Sequence, residues 1–242
     1  MRVRGTIAAA LATALLVAAG GGAAMAQAAA NADAGLVSDL QLTSHVVGTP
    51  SGGTLHLVWP DGPDGKPKPE AKGVFQFPAG TIINEQAVPV CNASDTELQL
   101  EGRAACPDGS ALGPGDLALI TGVGAPVDPL RLDDFWFHGP GQLVGLISPQ
   151  GSQYPVLAVN RVQIQGATLI AQPSLPPGYP PGTKTAPKES NQRIDRLVSS
   201  AGAFITTPPT CPSSGAWISH TTITYDDGST DSATSATPCT GP

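Results

Sequence analysis

Residues able to do chemistry are sparse in this chain, and their densest run is Asp133-Asp134-Phe135-Trp136-Phe137-His138. Paired carboxylates can do acid–base or nucleophilic work at a sugar ring, and aromatic faces can stack on it. A hydrolase would also need a second acid across a cleft from Asp133 or Asp134, which the sequence does not place. The competing reading is a strand with core aromatics. Leu132 and Phe135 are three apart, so Leu130–Leu132 and Phe135–Phe137 alternate out of phase. A bulge at Asp133–Asp134 is expected to restore the phase and aim the acids at a ligand. Asp133, Asp134, Trp136 and His138 are therefore the candidate binding face, with carbohydrate or wall polymer as the ligand class.

The second candidate is a metal site at His45 and His56. Leu40, Leu42 and Val46 alternate with Gln41, Thr43 and His45, and Leu55, Leu57 and Trp59 alternate with Thr54, His56 and Val58. With a turn at Gly48–Gly53, Val46 would pair with Leu55 and Leu42 with Trp59, setting the two imidazoles opposite each other. Such a pair could take zinc or copper, but no third ligand is identifiable. Asp61/Asp64 and Asp226/Asp227/Asp231 lack the calcium loop with its closing Glu and read as turn acids. Ser110 has no recognisable base, and there is no Gly-x-Ser-x-Gly. No cofactor is expected, and the reading leans away from an enzyme.

The elements that must position these residues are β-strands. Twenty-nine Gly and 25 Pro punctuate short runs rich in Val, Ile, Leu and Thr, and no long amphipathic helix interrupts them. Strands are expected at Val74–Phe77, Asp116–Val123, Gln142–Ile147, Val156–Val159 and Val162–Ile170. Gln192–Ala201 leans to strand. A final hairpin turns at Asp227-Gly228, with Trp217, Ile223 and Tyr225 on one face and Thr222, Thr224, Thr230, Ser232 and Thr234 on the other. One helix of about three turns is expected after Cys91, capped by Asn92 or Ser94 and stopping near Gly102. The expected architecture is an all-β, jelly-roll-like sandwich with that short helix clipped by a disulfide.

Residues 1–28 read as a signal peptide: Arg2 and Arg4, an apolar run from Ile7 to Ala19, and a small-residue cleavage site at Ala24–Ala28. Removing Arg2 and Arg4 from 12 basic residues leaves 10 against 19 acidic, a mature net charge of −9. That balance argues against nucleic acid. No segment is long and apolar enough for a transmembrane anchor. Residues 29–172 are expected to form the main body, 173–191 a Pro-rich connection, and 192–242 the strands that complete the same sandwich. Four cysteines in an exported chain imply two disulfides in one of three pairings. Sequence proximity favours Cys91–Cys106 and Cys211–Cys239.

Several motifs carry a resemblance: Phe77-Pro78-Ala79-Gly80-Thr81, Pro89-x-Cys91, Cys106-Pro107-x-x-Ser110-x-x-Gly113-x-Gly115, Thr206-Thr207-Pro208-x-Thr210-Cys211-Pro212, Gly215-x-Trp217, Tyr225-x-Asp227-Gly228 and Pro238-Cys239. Together they resemble a pattern in uncharacterised secreted proteins of high-GC Gram-positive bacteria. The resemblance implies a β-rich extracellular module and supplies no activity or catalytic residue. The functional expectation is a secreted, non-catalytic binding or structural module, with extracellular polysaccharide or a cell-envelope component as partner. A carboxylate-pair hydrolase and a histidine metal module are the alternatives.

Overall fold

The computed structural model describes residues 35–121, 129–174, 178 and 183–241. The proposed signal peptide and the end of the strand expected at Asp116–Val123 lie outside them. Alternating apolar and small polar residues build the strands β1 Val37–Leu42, β2 Pro50–Ser51, β3 Gly53–Val58, β4 Glu70–Gln76, β5 Ile82–Ile83, β6 Ala111–Ile120, β7 Leu130–Gly139 and β8 Gln142–Pro149. They continue as β9 Ala158–Gln165, β10 Thr168–Ala171, β11 Ala186–Ile194, β12 Val198–Ser199, β13 Gly202–Ala203, β14 Ile205–Thr206, β15 Ala216–Tyr225 and β16 Thr230–Pro238.

Eleven of these form one antiparallel sheet in the order β1-β3-β11-β6-β7-β8-β9-β10-β4-β15-β16. The all-β sandwich expected from the sequence is realised by rolling this single sheet until its walls face each other, nearly a barrel. Its two edges meet through side chains. The Ser235 hydroxyl on β16 accepts from the Leu40 amide of β1 at 2.9 Å and donates to the Leu40 carbonyl at 2.8 Å. Thr237 accepts from the Leu42 amide at 3.2 Å, and the Ser38 and Thr221 hydroxyls pair at 2.7 Å. Both backbone groups of Leu40 and the Leu42 amide are thereby satisfied without a backbone ladder to β16.

β8 runs between β7 and β9 with both faces covered, which is why Leu143–Ile147 is apolar at every position but Gly145. Its inner face joins the core of the rolled sheet. Its outer face is covered by α1, Asp95–Glu101, which continues as a 3-10 turn through Gly102–Ala105. The α-helical part is thus shorter than the three turns expected. Ser94 and Glu97 form a reciprocal capping box, with Ser94 N–H donating to Glu97 at 2.7 Å and Glu97 N–H to Ser94 Oγ at 3.3 Å. Leu98 is fully buried against Phe137, Val144, Leu146 and Val159. Both expected disulfides are formed, and Cys91–Cys106 clips this layer onto the sheet.

The β1–β3 register corrects the expected histidine pairing. Leu40 faces Leu55 and Leu42 faces Gly53, so His56 lies opposite Asp39 rather than His45. The ladder stops at Leu42 because the following residues leave the sheet. Ser51 pairs with Ile205 in a small sheet of β2, β14 and β5, while the His45 carbonyl accepts from Thr240 N–H at 2.7 Å. A second expectation also fails. β7 runs without a bulge through Asp133 and Asp134, paired on one side with Asp116 and Gly115 and on the other with Ser148 and Ile147. The irregularity falls on the neighbouring strand, where β6 carries the extra residue Leu112 between Ala111 and Gly113.

Candidate functional site

Because β7 keeps strict alternation, Leu132, Asp134, Trp136 and His138 face the interior and Asp133, Phe135 and Phe137 face outward. The four candidate residues therefore do not share one open face. Asp133 is outside, accepting from Gly151 N–H at 2.8 Å. Phe135 and Phe137 support the helical layer, and the Arg103 guanidinium lies 3.9 Å above the Phe135 ring. His138, 1% exposed, contacts the Pro89 carbonyl at 3.2 Å and Glu85 at 3.4 Å, with Phe204 packed against its ring. It is a buried structural residue of that end of the fold.

Asp134 and Trp136 line a cavity of about 130 Å³ within the rolled sheet, partly open to solvent. Its walls are mostly apolar, with Leu57, Phe75, Phe77, Val162 and Leu169 prominent. The volume is comparable to a dry, apolar engineered cavity of about 150 Å³ that takes up benzene. Here the wall also carries polar groups, namely Asp134, Gln192, Ser190, Asn160 and Glu70, beside the indoles of Trp136 and Trp59.

Most of these are paired with one another. Trp136 Nε1 donates to Gln192 Oε1, and Gln192 Nε2 donates to Ser190 Oγ at 2.8 Å. Asn160 Oδ1 accepts from Ser174 N–H at 2.8 Å. Asp134 differs: it is 2% exposed, and its Oδ1 has no hydrogen-bond partner among the described residues. Burial pushes its carboxyl up to about 8, against the opposing pull of the Phe135 amide and Gln192. Glu70 is raised to about 7 by burial, opposed by the Trp59 indole, whose Nε1 makes no well-formed hydrogen bond. Both cavity carboxyls are thus held toward the protonated form.

Glycines make room for these groups. A Cβ on Gly145 would lie 2.8 Å from the Trp136 ring and 2.9 Å from Asp134 Oδ1, and one on Gly115 would overlap the Gln192 amide. A Cβ on Gly73 would lie 2.9 Å from the Glu70 carboxylate. Gly145 stands alone in an otherwise apolar central strand, a sequence signal of close approach that could have pointed to this site. Glu70, Asn160 and Gln192 come from strands distant in sequence and carry no such signal.

His45 and His56 are not brought together. His56 instead contacts Glu189 at 3.3 Å, and no group of three or more metal-ligating side chains occurs among the described residues. No helix among them is long and apolar enough to cross a membrane. Comparison of the chain with family models, with curated proteins and with solved structures finds no match.

Proposed function

We propose that this is a secreted, non-catalytic binding protein that takes a small, largely apolar molecule into the cavity of its rolled sheet. The observation that carries the reading is Asp134, a buried carboxyl with an unpartnered oxygen in the wall of a mostly apolar cavity. A buried polar atom without a partner costs roughly 1–3 kcal/mol, and a ligand group that pairs with it recovers that cost. Secretion rests on the basic and apolar N-terminal segment together with two disulfides.

The ligand class is narrower than the polysaccharide expected from sequence, since Asp134 and Trp136 face inward and cannot stack on a surface polymer. A hydrolase is disfavoured on the same ground. Asp134 and Glu70 line one cavity, but burial holds both carboxyls toward the protonated form rather than splitting them into acid and base.

The test has two arms. Protein purified from the secreting cells is extracted with organic solvent and the extract analysed by mass spectrometry for a stoichiometric small molecule. The stripped protein is then titrated calorimetrically with toluene and indole. Saturable binding to the parent that is lost in Ala171→Phe, which enlarges a side chain lining the cavity, is the expected result. A protein that carries no small molecule and binds neither probe overturns the reading.

A further inference from the structure

Resting on the cavity reading, we propose that the ligand is an organic cation: an amine with a small apolar or aromatic body, its ammonium seated against Asp134 and balanced by Glu70. Charge complementarity decides between classes of apolar ligand. The two acidic side chains that line the cavity come from β7 and β4, at well-separated positions in the rolled sheet. Two arginines also border it, but both guanidiniums are engaged elsewhere. Arg161 is held by Asp95 at 2.6 Å and by the Ala93 carbonyl at 3.2 Å, and Arg193 Nε pairs with Asp195 at 2.8 Å.

A carboxylic acid entering this interior would bring a third acidic group, and the two bordering arginines are each already paired with an aspartate. An ammonium does the reverse. It donates to the oxygen of Asp134 that lacks a donor, and it allows one carboxyl to ionise while the cavity as a whole stays neutral. The remaining wall suits the same guest. The indoles of Trp136 and Trp59 and the rings of Phe75 and Phe77 border the space, and aromatic faces attract organic cations. Asp134 Oδ1 lies close against the bare backbone of Gly145, where a methyl group would come within 2.9 Å of that oxygen.

The experiment compares three nearly isosteric probes on the mature, oxidised protein at about neutral pH by titration calorimetry: benzylamine, toluene and benzoate. Benzylamine is expected to bind at least about tenfold more tightly than toluene, the equivalent of about 1.4 kcal/mol, with benzoate the weakest. Asp134→Asn should cut the advantage of benzylamine to less than about threefold while leaving toluene binding in place. Glu70→Gln should reduce it in the same direction, and it decides the matter if the Asp134 variant does not fold. Toluene binding with no preference for benzylamine overturns the amine inference and leaves the cavity reading standing. Failure of all three probes overturns both.

Discussion

The hydroxyl of Ser235 is bonded to both backbone groups of Leu40, accepting from the amide at 2.9 Å and donating to the carbonyl at 2.8 Å. One side chain thus stands in for the two ladder bonds that would otherwise join β1 to β16. Ser235→Ala leaves a donor and an acceptor at the seam without their partner, and should destabilise the fold by about 1–3 kcal/mol in urea unfolding. Hydrogen exchange locates the effect: the Leu40 amide should lose protection while amides of β7 and β8 keep theirs. Unchanged protection at Leu40 would show that the seam is held by other contacts.

Stability should fall as pH rises from about 4 to about 8. Asp134 and Glu70 have folded-state values raised to about 8 and about 7, so across this window the native state holds protons that the unfolded chain has released. Their contribution is complete at acid pH and is lost as pH passes through the folded values. Asp227, held low by Lys68, and Glu97, held low by the Ser94 amide, act in the opposite sense at more acid pH. The thermal midpoint near pH 9 should therefore lie below that near pH 5 in the parent, and the gap should shrink in Asp134→Asn. Parallel pH profiles for parent and variant would contradict the assignment.

Gly145→Ala should destabilise by about 1–3 kcal/mol, because its methyl group must displace the Trp136 ring or the Asp134 carboxyl from a packed interior. Near-ultraviolet circular dichroism, sensitive to a buried indole, should change with it. A variant as stable as the parent with an unchanged spectrum would mean that the inner wall yields more easily than the packing implies.

The two disulfides should differ in what their loss does. Replacing Cys211 and Cys239 by serine opens the larger loop, at about 3.5 kcal/mol against about 3 kcal/mol for Cys91 and Cys106 on loop-entropy grounds. Breaking Cys91–Cys106 should act on the outer layer, raising proteolysis around residues 92–105, whereas breaking Cys211–Cys239 should loosen the β15–β16 hairpin. Limited proteolysis with mass spectrometry reads both; cleavage at the same sites in both variants would refute the division.

Local features were the most legible from sequence. Both bridges, the capped helix and the Asp227-Gly228 hairpin are set by residues close in the chain. The β7 motif misleads because Leu132 and Phe135, three apart, suggest a bulge at Asp133–Asp134, whereas the strand keeps its alternation, buries Asp134 and turns Phe135 to the helical layer. The His45–His56 pairing failed because it assumed a simple hairpin, and β1 stops at Leu42 where the chain is drawn toward Ile205 and Thr240. The cavity itself could not be read, since Glu70, Asp134, Asn160 and Gln192 meet only once distant strands are in order.

That order has a temporal meaning. β11 lies between β3 and β6, and β4 is flanked by β10 and β15, so the β6-to-β10 meander gains its neighbours on both sides only from strands distant in sequence. Pairings of such high sequence separation make for slow folding, because chain closure must precede the contacts that reward it. A polypeptide emerging amino end first would leave β3 without its second neighbour until β11 arrives and β4 without one of its own until β15 does, and the interior that would receive a guest is not fully lined until β11 is in place.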